Sequence, residues 1–262
     1  MKRIPLLIFI ASIFYSCASS EQRVSTITYH EDDYKEIGIQ IAYMPDGKVA
    51  HIDLENGITR YDFNYETPNR ITISEDNGNT YYAVVNELGC VTLIYDKPNN
   101  NKDKLEITYV YDKGYLSDIQ YAIGQSEYNE YRFIWKDGNL QQCKFSHQFF
   151  KYTRKVNVSY SYEKNRSCQN FAFFNVFTGI DNRWEAITTA LQIAGLLGHQ
   201  NKNLLSEIKS ETKEYEDETE YDGETEIRHI TITNILNNNG TIQYQYLNHE
   251  DNKVFKYDYS SL

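Results

Sequence analysis

Carboxylates are the most abundant reactive groups in this 262-residue chain, with 37 Asp and Glu against 26 Lys and Arg and a formal charge of −11. His30-Glu31-Asp32-Asp33 sets an imidazole beside three acids, a donor mixture suited to a divalent cation. Glu214 to Glu226 holds eight carboxylates but lacks the Asp-x-Asp-x-Asp-Gly spacing of a calcium loop. Two acids facing across a cleft would suit glycoside hydrolysis, yet spacing in sequence does not report their distance in space. His147, His199, His229 and His249 are scattered, with neither H-E-x-x-H nor G-x-S-x-G. The acidic stretches therefore read as a solvated linker and a hairpin tip. No residue is assigned a catalytic, metal or cofactor role, and a non-enzymatic protein is expected. The acidic balance argues against nucleic acid as a partner, and against attachment to anionic lipid by basic charge.

Tyrosine is the other unusual group, with 24 copies. Its ring stacks on sugars or apolar surfaces while its hydroxyl hydrogen-bonds, so a row of tyrosines on a strand face could bind a glycan, peptide or protein. The candidate face is Tyr109, Tyr111, Tyr121, Tyr131 and Trp135. The plainer and favoured reading of the tyrosines is that cross-strand pairs stabilise a half-exposed sheet.

Cys17 is chemically distinct from the other three cysteines. Lys2 and Arg3 precede an apolar run, Ile4 to Phe14, about half the length of a membrane span, and Ser16-Cys17 follows. This resembles a bacterial lipoprotein signal, in which the cysteine is acylated and begins the mature chain. Phe14 and Tyr15 stand where the usual lipobox has Leu and a small residue, a tolerance typical of Bacteroidetes. The resemblance implies a signal peptide over 1–16, a membrane anchor at Cys17 and a tether over 17–34. Outer-membrane attachment is expected, with the leaflet open. Loss of Lys2 and Arg3 takes the formal charge to −13. Cys90, Cys143 and Cys168 allow at most one disulfide, match no zinc spacing and read as small buried hydrophobes.

The remainder, 35–262, reads as a single β-rich domain. Short runs of Ile, Val, Thr and Tyr alternate with turns such as Asp46-Gly47, Lys113-Gly114 and Asp137-Gly138, the pattern of antiparallel hairpins. Counted from Gly47, Gly114 and Gly138, apolar residues or Cys recur at +2, +5 and +7, and Tyr111 and Trp135 lie three residues before their glycines. Positions +5 and +7 share a strand face, while +2 points to the other or precedes a bulge. Gly89, Gly114 and Gly138 are spaced by one hairpin length. The unit Tyr111-Asp112-Lys113-Gly114-Tyr115-Leu116 resembles the tyrosine-aspartate hairpins of YD-repeat shells. With the lipobox and a late helix, it also resembles a Bacteroidetes lipoprotein family of unknown function, DUF4595, described as having a porin-like fold. That resemblance carries no catalytic residues.

Trp184, Ile187, Leu191, Ala194 and Gly198 follow helical spacing and predict one amphipathic helix over about 183–198, capped by Asp181 or Asn182, with a possible second short turn at 203–208. The expected architecture is mainly β: a strongly curved antiparallel sheet or open barrel with the helix in or on its concave face. Charged strands such as Lys104 to Tyr111 and Thr225 to Thr233 oppose a barrel that crosses the membrane. The leading expectation is a monomeric, lipid-anchored binding module for a glycan, peptide or protein. The alternatives are a carrier of an acyl chain or other apolar ligand inside a half-open barrel and, less favoured, a carboxylate-based hydrolase.

Overall fold

The computed structural model describes residues 22–31, 35–54, 57–96, 106–123, 127–167, 183–216, 219–220, 225–248 and 253–261. The signal region, Cys17, Asp32, Asp33, Cys168, the helix-capping residues Asp181 and Asn182, and His249 lie outside them. The described strands form one antiparallel sheet. The first nine are β1 (Gln22–Glu31), β2 (Lys35–Tyr43), β3 (Val49–Leu54), β4 (Thr59–Thr67), β5 (Arg70–Glu75), β6 (Thr80–Val85), β7 (Val91–Asp96), β8 (Glu106–Asp112) and β9 (Tyr115–Ile123). They continue as β10 (Glu127–Lys136), β11 (Asn139–Phe149), β12 (Tyr152–Ser167), β13 (Asn203–Glu216), β14 (Thr219–Glu220), β15 (Glu226–Leu236), β16 (Ile242–Asn248) and β17 (Lys253–Ser261).

Each strand pairs with its successor in the chain, except at the hairpin tip, where the two-residue β14 pairs back on β13 and β13 pairs with β15. β1 pairs with both β2 and β17, so the meander closes on itself as a sixteen-stranded barrel. The open-barrel expectation is thus corrected: Val24 opposite Tyr259 and Ile27 opposite Tyr257 seal the seam. The tether is corrected with it, because β1 begins at Gln22. A register shift between Val24 and Thr26 puts Val24 and Ile27 on one face three residues apart, which breaks the period-two pattern that marks a strand.

We call the rim where β1 begins and β17 ends proximal, and the opposite rim distal. At the proximal rim the hairpin repeat has a physical explanation. Leu116, Ile119 and Tyr121 are all buried, as are Val49, Ile52 and Leu54. Tyr111 pairs with Leu116 but Val110 with Asp118, so Ser117 is an extra residue, and the bulge turns +2 and +5 to the same side. The same shift recurs in β2–β3, β6–β7, β10–β11 and β15–β16. Aromatic donors then tie each hairpin to the one before. The Tyr111 hydroxyl donates to the Val91 carbonyl at 2.6 Å, Trp135 Nε1–H to Leu116 at 2.7 Å, and the Tyr162 hydroxyl to Leu140 at 2.6 Å. Tyr259 reaches Ile242 and Tyr43 reaches Val24 in the same way, both at 2.7 Å.

The helix α1 (Arg183–Ile193) lies inside the barrel. Ile187 to Leu191 are five consecutive buried residues, so this stretch of the helix is enclosed on all sides, where the spacing predicts one apolar stripe. It ends before Gly195 and Gly198, both at positive φ (72° and 80°), which let the chain turn back sharply. The following strap crosses the proximal turns in order. The Val91 N–H donates to the Leu196 carbonyl at 2.9 Å, His199 N–H to Gly114 at 2.8 Å, and Lys202 N–H to Gly138 at 2.9 Å. The chain then enters β13 over 203–208, where the sequence suggests a helical turn, because the Asn139 amide donates to Asn203 Oδ1 and accepts from the Asn203 backbone N–H.

Candidate functional site

The polarity of the wall decides where a site can be. Inward side chains of β1 to β8 are dry: Ile27, Ile52, Tyr61, Ile73, Tyr81 and Ile94 have no accessible surface. Outward positions at mid-height carry ion pairs on β9–β10, where Arg132, 62% exposed, reaches Asp118 at 3.4 Å, and a stacked tyrosine pair on β6–β7. The inward wall is therefore a packed core and the outward wall is made for water, the reverse of a pore lining.

The five residues of the candidate tyrosine face belong to that core and do not form an exposed row. Tyr109 is buried, with its hydroxyl 3.0 Å from Thr188 Oγ1 on α1, and burial pushes its pKa up. Tyr121 is buried, and Tyr131 is buried against Phe145 at 4.5 Å between ring centres. Tyr111 and Trp135 are partly buried and tie the proximal hairpins together. Cys90 and Cys143 are free and buried, and burial raises both thiol pKa values. Of the other tyrosines, Tyr82 and Tyr95 stack outward on β6–β7 at 5.5 Å, and Tyr128 is exposed.

At the distal rim the inward face changes character. Along β10, β11 and β12 the inward residues run Phe133, Tyr131, Asn129; Cys143, Phe145, His147, Phe149; and Val158, Val156, Arg154, Tyr152. Apolar side chains give way to polar ones as the strands rise toward water. Asn129 has no accessible surface, and its Oδ1 accepts a hydrogen bond from His147 Nδ1–H at 2.6 Å, which fixes the ring. His147 stacks on Phe145 at 6.5 Å and stands directly across from Arg154. Arg154 Nε lies 3.9 Å from Glu214 Oε1, and desolvation first, then the Glu214 hydrogen bond, raises Tyr152 to about 12. Phe149, opposite Tyr152, is 45% exposed and forms an edge-to-face pair with Phe150 at 4.7 Å.

These residues make a mixed mouth: an exposed aromatic face, a hydroxyl, a guanidinium paired with a carboxylate, and an imidazole braced from behind. Such a set can stack a ring and hydrogen-bond its substituents. Sequence reading noted His147 only as one of several scattered histidines. The usable signal was polar residues at inward parity in otherwise apolar strands, and it requires the register first. Of the acidic run, Glu214 and Glu216 fall on β13, Glu220 on β14 and Glu226 on β15; Glu214 stands across from Arg154 and Glu216 across from Tyr152, so those two join this cluster. His229 pairs with Glu207 at 2.5 Å away from it, and His199 packs on Tyr115 at the proximal strap. Among the described residues no group of three or more His, Cys, Asp or Glu is placed to hold a metal ion.

No known family profile and no curated protein matches the chain. Its fold does have a solved counterpart, the crystal structure of a porin-like protein from Bacteroides uniformis, at 12% identity with a TM-score of 0.64. The match covers 90% of this chain and 96% of that one, so the closed barrel is similar to a porin-like fold along nearly its whole length.

Proposed function

We propose that the chain is a lipid-anchored envelope protein that binds a glycan at the distal mouth and neither conducts solutes nor catalyses a reaction. The observation that carries the reading is the change in the inward wall from dry and apolar to polar at Asn129, His147, Tyr152, Arg154 and Glu214, with the exposed ring of Phe149 beside them. A filled lumen gives an acyl chain no room along β1 to β8, which counts against the carrier. The lipoprotein-like signal and the porin-like neighbour support an envelope location.

The test is a glycan and peptide binding screen on residues 18–262, repeated with Arg154→Ala and Phe149→Ala. Loss of a charge-assisted hydrogen bond worth about 1.5–3 kcal/mol predicts roughly 10- to 100-fold weaker binding for Arg154→Ala. Binding that both variants leave unchanged would move the site elsewhere, and silence across both panels would refute the reading.

A further inference from the structure

The barrel's two rims differ in charge and in their distance from Cys17. β1 starts at the proximal rim with Gln22, paired to Ser261 of β17, and only residues 18–21 separate it from Cys17. Five residue steps reach at most about 18 Å, whereas the ten residues of β1 run about 30 Å along the strand, or about 23 Å of height at the usual barrel tilt, to the distal rim. A lipid on Cys17 therefore cannot bring the distal rim to the bilayer without unravelling the seam strand.

Charge points the same way. Near the proximal rim Arg23, Lys48, Arg70, Lys113, Lys136 and Lys202 offset Asp46, Glu66, Glu87, Asp112 and Asp137. Toward the distal rim, among the described residues, ten acidic residues besides the buried Glu75 (Glu31, Glu36, Asp76, Asp96, Glu106, Glu127, Glu214, Glu216, Glu220 and Glu226) outnumber seven basic ones (Lys35, Arg60, Lys151, Arg154, Lys213, Arg228 and Lys253), and the sequence joining β13 to β15 continues the acidic run. An anionic lipid surface repels the second rim and tolerates the first. Apolar side chains occur at both rims, but the distal ones, Phe149, Phe150, Ile58 and Ile227, share their rim with the carboxylates. At the proximal rim Leu88 is 70% exposed at a turn tip, and Val110, Ile134 and Ile235 face outward just before the bulges, about two-fifths exposed.

Resting on the lipid-anchor reading, we infer that the proximal rim is a membrane-facing surface. It seats on phospholipid with Leu88 and the outward residues Val110, Ile134 and Ile235 nearest the acyl boundary, and it holds the distal mouth away from the membrane. Apolar residues at headgroup depth add a second, weak attachment to the lipid. The lipidated full chain is reconstituted in phosphatidylethanolamine–phosphatidylglycerol vesicles carrying bromine in the acyl chains. The Leu88→Trp and Phe150→Trp variants, both at exposed tips, are compared with the unchanged protein. Bromine is expected to quench the added emission of Leu88→Trp several-fold more than that of Phe150→Trp. Equal or reversed quenching on vesicles that carry the protein overturns the orientation alone. Failure of the chain to float with the vesicles overturns the anchor reading and the orientation together.

Discussion

The Tyr162 hydroxyl donates its one proton to the Leu140 carbonyl at 2.6 Å and lies 3.0 Å from Asn201 Oδ1 of the strap, so a single phenol sits where two hairpins meet the helix return. Tyr162→Phe keeps the ring and removes the hydroxyl from both contacts. It should cost about 1–2 kcal/mol, read as a lower urea midpoint with an unchanged slope. Gly114→Ala should cost more, because φ is 82° there and an added Cβ would lie 2.6 Å from His199 Nε2. The tyrosines also set an alkaline limit. Burial raises Tyr43 and Tyr65 from 10.0 to about 12, so the folded state holds these protons more tightly than the unfolded state. Their contribution is complete below pH 10 and is lost as pH rises from 10 through 12. Tyrosinate absorbance should therefore appear together with loss of near-ultraviolet circular dichroism in that window. Tyrosinate formation well below it, with the fold intact, would show that the hydroxyls are not held. Much of this was legible in the sequence, in the +2, +5 and +7 spacing and the aromatic before glycine. What spacing left open was the bulge at +3, which decides that all three positions face inward.

At the level of elements, α1 and the strap act as a rivet through the proximal half of the barrel. Leu191 has no accessible surface, so Leu191→Ala should destabilise by about 2–5 kcal/mol, measured by denaturant unfolding. A cost below about 1 kcal/mol would mean that the helix is not packed against the wall. The helix itself could be read from Trp184, Ile187 and Leu191, but its enclosure could not. Periodicity detects one apolar stripe, whereas Thr188 and Thr189 are buried polar residues, and Thr188 finds Tyr109 seventy-nine positions away. β1 was hidden for a related reason, since its bulge removed the alternation that would have marked it.

At the scale of the molecule, closure depends on β1 meeting β17 more than two hundred residues later, a pairing with no local signature in sequence. The mouth was equally illegible, because Asn129, His147, Arg154 and Glu214 come from four strands and become neighbours only through register. The closed wall has a porin-like shape with its polarity turned inside out: apolar and packed within, charged outside. With that polarity the barrel is expected to fold in water without a bilayer. Sedimentation velocity of the unlipidated chain, residues 18–262, in buffer without detergent tests it most directly. The predicted result is one folded monomeric boundary that added micelles leave unchanged. A chain that aggregates in buffer and becomes a discrete species only when detergent coats it would contradict the account.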